Sequence, residues 1–158
     1  MTLVEPAAYW ILEQLGEEVA AVDRLNEFLH DLAGKDVSED HLVRFLAYAG
    51  FLEDSADARQ HPAWEGWISH RMALSWQDSV GSSGRKIDEL SSITCPVLLV
   101  KGTLTEGWLR RVVDILGARI PHAAVVELAG DHASHIQSID RFLEEFEELL
   151  HAGLNAGR

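Results

Sequence analysis

Apolar residues in the first half of the chain recur at steps of three, four and seven positions, which is the spacing of one helix face. The first such run contains Leu12, Leu15, Val19, Val22 and Leu29. In the second run, Asp36 and Glu39 have the spacing of a capping box. The third run begins at Pro62, a residue favoured in the first turn of a helix. The pattern predicts three helices, over 7–32, 36–49 and 62–76.

The periodicity changes after residue 85. The Gly- and Ser-rich stretch that starts at Gly81 predicts a linker reaching to about Arg85. Beyond it, the unbroken apolar run Pro96–Val100 is typical of a strand buried on both faces of a parallel sheet. The pattern then predicts a helix over 108–117, a strand over 123–128 and a helix over 136–150. With Thr2–Glu5 as a further short strand, this order predicts an α/β fold with a parallel sheet.

Composition and charge narrow the range of partners. The chain has 158 residues, with 13 Lys and Arg against 26 Asp and Glu, so its formal charge is −13. Its single cysteine, Cys95, cannot form an intramolecular disulfide. The acidic charge argues against nucleic acid and anionic membranes as partners. No basic segment precedes an apolar run at the N-terminus, and no run reaches about 18 apolar residues, so we expect a cytoplasmic protein.

Three segments carry a family resemblance: Cys95–Thr103, Ile120–His132, and a closing helix with Phe142-Leu143. In this order and spacing they resemble the last third of an α/β-hydrolase. Leu3–Pro6 resembles the strand that follows the nucleophile strand in that family. The resemblance implies a truncated α/β-hydrolase-like parallel sheet of about three strands with a helical cap. It divides the chain into a first strand at 1–6, a cap-like segment at 7–85 and a core portion at 86–158.

The same resemblance implies an acid and a base. In the family, a loop after the last strand presents a His that accepts the proton of the nucleophile, and Gly130-Asp131-His132 matches that loop. The acid that orients this His follows either of two strands. Glu5 stands at the end of the first strand, and Glu106 stands near the other position, where the usual Asp is absent. We prefer Glu5, because a strand end fixes a carboxylate better than a loop that contains Gly107.

The nucleophile motif of the family, G-x-S-x-G, does not occur in this sequence. The expected oxyanion loop is also missing, and the sequence begins about where a complete family member would be half finished. We therefore expect a truncated protein without hydrolase activity as an isolated chain, which self-associates or binds through its cap helices. The alternative is a functional hydrolase of ester or related acyl substrates, in which His132 is the general base and another chain or residue supplies the nucleophile.

The predicted partners follow from this interpretation. Without the strand that pairs with Thr2–Glu5 in complete family members, the sheet would have an open edge, so we expect a homo-oligomer, most simply a dimer. A small-molecule ligand under the cap is the other partner that this interpretation allows. No cofactor is implied. His132 and His135 lie three positions apart, but two His without a third ligand do not predict a metal site.

Overall fold

The computed structural model describes residues 1–51, 55–76, 84 and 86–156, and it describes no side chains at 55–57 and 152–156. Contacts within the chain divide it into two units, 1–17 with 84–158, and 18–83. The predicted linker at Gly81–Arg85 lies outside the described residues except for Gly84. The division into 1–6, 7–85 and 86–158 stays a prediction.

Three strands among the described residues form one parallel sheet in the order β1, β2, β3. Their bounds are β1 Thr2–Val4, β2 Val97–Gly102 and β3 Ala123–Leu128. Val4 pairs with Val100, and Gly102 pairs with Leu128, so the three strands end at the same edge of the sheet. The predicted α/β fold with a parallel sheet of about three strands is confirmed.

Helices connect the strands and form the rest of both units. The described α-helices are α1 Trp10–Gln14, α2 Ala20–Leu32, α3 Glu39–Tyr48, α4 Trp64–His70, α5 Gly107–Arg119, α6 Ser134–Gln137 and α7 Ile139–Ala156. Shorter 3₁₀ helices lie at Ser55–Gln60, Arg71–Trp76 and Ile87–Ser92. None of the helices in the described part of the chain has an apolar stretch long enough to cross a lipid bilayer.

The central strand β2 is buried on both of its faces, as its unbroken apolar run predicts. Val97–Val100 are at most 1% exposed. On one face, Phe142 and Leu149 of α7 pack against the even-numbered residues of the strand. The other face carries Lys101, whose ammonium group lies 2.6 Å from the carboxylate of Asp114 in α5. The sheet is therefore covered by α5 on one side and by α7 on the other.

Helix α1 belongs to the same unit as the sheet and packs against the start of α5. The ring of Tyr9, just before α1, meets the ring of Trp108 edge-on at 5.5 Å. Burial raises the pKa of the Tyr9 hydroxyl well above its ordinary value. The first residues after β1 are thus anchored to the helix that follows β2.

The predicted single helix over 7–32 is wrong, because α1 ends at Gln14 and α2 begins at Ala20. Gly16 has a φ of +69°, a left-handed conformation that ends a helix. Leu15, predicted on the buried face, is 39% exposed. Val19 has an extended backbone with a φ of −128°. The apolar spacing continues across this break, so periodicity alone could not locate it.

Helix α3 begins later than predicted. Its N-cap is Ser38 and not Asp36. The Ser38 side chain accepts a hydrogen bond from the His41 N–H at 3.2 Å, and the Ser38 N–H donates to Nδ1 of His41 at 3.1 Å. This reciprocal pair is a capping box in which a His occupies the position usually held by Glu or Gln.

The other two long helices predicted from periodicity are interrupted. The pattern over 62–76 is α-helical only in α4 and continues as 3₁₀ turns, and Trp76 at its end is 78% exposed. The pattern over 136–150 is divided between α6 and α7. Ser138 separates them with non-helical backbone angles, and its hydroxyl donates to the carbonyl oxygen of Ala129 at 2.8 Å. A side-chain hydrogen bond to the chain after β3 thus sets where α7 begins.

The unit of residues 18–83 has a core formed by the apolar faces of two amphipathic helices. On α2 the buried residues are Val22, Leu25, Phe28, Leu29 and Leu32, and on α3 they are Leu42, Val43 and Leu46. The ring of Phe28 meets the ring of Tyr48 edge-on at 5.4 Å. Apolar spacing predicts this packing, because it places these side chains on one face of each helix.

Candidate active site

The three predicted site residues all follow strands of the sheet. Glu5 comes directly after β1, Glu106 follows β2 by four positions, and His132 follows β3 by four positions. Because all strands are parallel, these positions lie at the carboxyl edge of the sheet, where open α/β sheets place their ligand sites.

Glu5 is a buried acidic residue in a strained backbone conformation. It is 2% exposed, and its N–H donates to the Val100 carbonyl oxygen at 3.0 Å. Its φ is +39°, and no other non-glycine residue in the described part of the chain has a positive φ. This left-handed conformation costs a residue with a Cβ about 1 kcal/mol or more, and such strain is concentrated at functional positions.

Both carboxylate oxygens of Glu5 accept hydrogen bonds. The Gly102 N–H donates to Oε1 at 2.6 Å, and Nδ1 of His132 lies 2.5 Å from Oε2. The Glu5 side chain is 0% exposed and the His132 side chain is 19% exposed. A carboxylate only accepts, so this contact fixes the proton of the imidazole on Nδ1. Nε2 is then the nitrogen that can accept a proton from another group.

Because Gly102 has no side chain, the loop after β2 and the loop that carries His132 can approach each other beside the Glu5–His132 pair. A Cβ built at Gly102 would lie 2.6 Å from both the Gly130 carbonyl oxygen and the Thr105 hydroxyl oxygen, which is closer than real Cβ atoms approach. The Leu104 N–H donates to the Gly130 carbonyl oxygen at 2.8 Å, and the Gly130 N–H donates to the Thr103 hydroxyl at 3.2 Å. The loop after β2 and the loop that carries His132 are therefore tied together.

Asp131 fixes the loop immediately before His132. Its N–H donates to the Gln137 side-chain oxygen at 2.9 Å. Its own carboxylate accepts from the Ala133 N–H at 2.8 Å, and its carbonyl oxygen accepts from the Ser134 N–H at 2.8 Å. Three hydrogen bonds from one residue hold the backbone on both sides of the imidazole.

The structure brings Glu5 and His132 together but does not bring Glu106 to them. Glu106 is the exposed N-cap residue of α5, and its carboxylate makes no hydrogen bond or ion pair with the described residues. A negative charge at this place is favoured by the dipole of α5, which accounts for an acidic residue there without a role in chemistry. The catalytic roles of all three residues stay predictions.

Sequence reasoning missed three residues that position this pair, namely Gly102, Asp131 and Gln137. Gly102 ends β2 and is followed by Thr103, so a glycine at a strand end was the available signal. Nothing in the sequence marks Gln137, because its contact depends on how α6 folds back on the loop. Within the described residues, no three His, Cys, Asp or Glu side chains are arranged to hold a metal ion.

A separate cavity of about 340 Å³ lies in the unit of residues 18–83, along α2 and α3. Its lining includes three basic residues, Arg24, Lys35 and Arg44, and two acidic residues, Glu27 and Asp31. The guanidinium carbon of Arg44 lies 4.9 Å from the centre of the Phe28 ring and 5.7 Å from that of Tyr48. None of the three basic side chains forms an ion pair with a carboxylate in the described part of the chain, whereas Arg59 pairs with Glu39 and Asp40.

Comparison with known proteins supports the fold. The solved structure of MenH from S. aureus, a member of the α/β-hydrolase family, is similar to this chain with a TM-score of 0.58 and 19% sequence identity. The similarity covers 94% of this chain and 55% of the MenH chain, so this chain spans about half the length of that protein. No protein-family profile matches the sequence, and no curated protein sequence matches it.

Proposed function

We propose that this chain carries the acid and base of an α/β-hydrolase-type active site, and that the nucleophile comes from a polypeptide outside these 158 residues. The observation that carries the proposal is the buried contact between Oε2 of Glu5 and Nδ1 of His132 at 2.5 Å. The strained backbone of Glu5 and the close approach at Gly102 support it, because backbone strain is concentrated at functional positions and a Cβ at Gly102 would collide with the loop that carries His132.

In the proposed reaction, Nε2 of His132 accepts the proton of an attacking serine hydroxyl and later donates it to the leaving group. Glu5 holds the imidazole in the tautomer that leaves Nε2 able to accept, and it stabilises the imidazolium that forms. The substrate class is an ester or related acyl compound. Glu106 has no part in this mechanism.

The isolated chain should not perform this reaction. Its sequence has no G-x-S-x-G motif, so the nucleophile and the oxyanion donors that follow from that turn are absent. Removing both takes away the interactions that contribute most of the rate enhancement in such enzymes.

The first test is hydrolysis of p-nitrophenyl acetate by the isolated chain. We expect turnover no faster than that of the His132→Ala variant. A slow rate that is lost in His132→Ala and resists a serine-directed phosphonate fits simple imidazole catalysis and leaves the proposal standing. Turnover abolished by the phosphonate, with the label mapped to a serine of this chain, contradicts the proposal.

The second test adds the missing group. A neighbouring reading frame that encodes G-x-S-x-G would be co-expressed with this chain, and labelling of its serine by the phosphonate would be followed. We expect the labelling rate to fall by about 10²-fold or more in His132→Ala, and by less in Glu5→Gln. Glu106→Gln is the matched control and should leave the rate unchanged. A labelling rate that does not change in His132→Ala contradicts the proposal that the two polypeptides form one active site.

A second candidate function is binding of a small organic anion by the helical unit of residues 18–83. The observation that favours it is the cavity along α2 and α3, where Arg24, Lys35 and Arg44 lack carboxylate partners among the described residues. Glu27 and Asp31 also line the cavity, so its basic residues exceed its acidic residues by one.

The probe for this second function is 2-naphthoate, with the neutral 2-naphthamide as the matched ligand. We expect calorimetry to detect binding of naphthoate and little binding of naphthamide. The Arg44→Gln variant should bind naphthoate with a Kd about fivefold higher or more. Arg59→Gln removes a basic residue that is already ion-paired and should have no effect. Equal affinity for both ligands, or no binding at all, contradicts an anion site.

A further inference from the structure

Helix α7 exposes a row of large apolar side chains. Ile139, Leu143, Phe146 and Leu150 follow one another at steps of four, three and four, the spacing that puts them on one face of a helix. Ile139 and Leu143 are each 46% exposed and Leu150 is 50% exposed. We call these four residues the α7 stripe. Ile136, in the preceding helix α6, is also exposed, at 66%.

The α7 stripe borders the face of α7 that packs on the sheet, and the ring of Phe146 stacks on the ring of Phe142 at 6.3 Å. Phe142 and Leu149 contact the core of the sheet, and the stripe lies beside them around the helix axis. Contiguous apolar surface of this kind is uncommon on the outside of a protein and marks a surface that contacts another molecule.

Acidic residues border the other side of the α7 stripe. Asp140, Glu144 and Glu147 each follow a stripe residue by one position, which places them about 100° further around the helix. Only Glu144 has a basic partner among the described residues, an exposed Arg141 at 3.1 Å. The stripe therefore has the sheet on one side and a line of carboxylates on the other.

We propose that the α7 stripe is the docking site of a partner helix with apolar residues at three- and four-residue steps and Lys or Arg beside them. Charge complementarity selects this occupant. A second copy of α7 packed antiparallel would bring the two lines of carboxylates together, and each chain already carries a formal charge of −13. The proposal concerns binding alone, so it stands or falls separately from the proposed acid–base function.

The test uses the full chain and a synthetic helical peptide of about three heptads, with leucine at the seam and lysine on both flanks. The flanking lysines repel one another and keep the peptide from pairing with itself. The matched probe has the same leucines and glutamate flanks. We expect the lysine peptide to bind and the glutamate peptide to bind at least about tenfold more weakly. Added salt should lower the affinity for the lysine peptide.

Two pairs of variants locate the binding. The double variant Leu143→Gln with Leu150→Gln should bind the lysine peptide about tenfold more weakly or worse. Leu15→Gln, at another exposed leucine, should leave the affinity unchanged. Glu147→Gln should weaken it severalfold, whereas Glu148→Gln, which removes the same charge on the far side of the helix, should not. Circular dichroism would show that each variant keeps the helical content of the parent.

Three results would overturn the proposal. The first is no binding of the lysine peptide, or equal binding of both peptides. The second is binding that persists in Leu143→Gln with Leu150→Gln, which would indicate a general attraction to the acidic surface. The third is a concentration-dependent dimer of this chain that is lost in the same double variant, which would make a second copy the occupant of the α7 stripe.

Discussion

Glu5 shows how one residue can connect the fold to the candidate chemistry. It still pairs with β2 through its N–H, yet its positive φ takes the chain out of the strand at that residue. Its two carboxylate oxygens accept from a backbone N–H and from His132. A buried carboxylate is costly unless it is hydrogen-bonded, and these two donors meet that requirement.

Gly102 is the residue on which this geometry depends most. In Gly102→Ala the new Cβ would meet the backbone oxygen of Gly130 at 2.6 Å, and that backbone cannot rotate away as a side chain would. We expect the variant to lose about 1–3 kcal/mol of the free energy of unfolding, and the His132 ring signals in NMR to shift. Urea denaturation and a histidine ring spectrum would measure the two effects.

The matched control for that prediction is Gly107→Ala. A Cβ at Gly107 meets nothing within 4 Å, and the residue opens α5, so alanine there should be neutral or slightly stabilising. Equal stability and identical His132 signals in both variants would show that the loop after β3 does not pack on the end of β2.

At the scale of elements, strands were easier to predict than the ends of helices. The run Val97–Val100 is apolar at every position, and only a strand buried on both faces needs that pattern at that length. Helix ends depend on single residues whose conformation periodicity does not report. Gly16 ends α1 although the apolar spacing continues past it, and Ser38 begins α3 although Asp36 and Glu39 have the spacing of a capping box.

The candidate site was predictable only in part, for a related reason. The resemblance located Glu5 and His132 because each follows a strand at a spacing typical of the family. Glu106 satisfied the same criterion and yet lies at an exposed helix end, because the loop after β2 turns away into α5. Gly102 and Gln137 act through contacts across the fold, and a linear sequence does not contain those distances.

At the scale of the whole molecule, β1 leaves one edge of the sheet without a neighbouring strand among the described residues. The Leu98 N–H donates to the Met1 carbonyl oxygen and the Glu5 N–H donates to Val100, so the alternation of a strand turns the amides of Thr2 and Val4 outward. Outward amides on an edge strand favour pairing with another chain.

We therefore propose that the isolated chain forms a dimer through the β1 edges, and light scattering would test it. We expect at least twice the chain mass of 17.5 kDa. Thr2→Pro removes an outward N–H without removing a bond to β2, and it should shift the chain to the monomer. Thr2→Val keeps the N–H and should remain a dimer. A monomeric parent chain would contradict the proposal.

We propose that Glu5, and not Glu106, orients His132. NMR of the chain labelled with ¹⁵N in its histidine rings tests it most directly, with His132→Ala identifying the signals. We predict an Nδ1–H tautomer for His132, with a ring proton far downfield of the amides. The signal should be lost in Glu5→Gln and unchanged in Glu106→Gln. A His132 signal that survives Glu5→Gln, or one that changes in Glu106→Gln instead, would contradict this assignment.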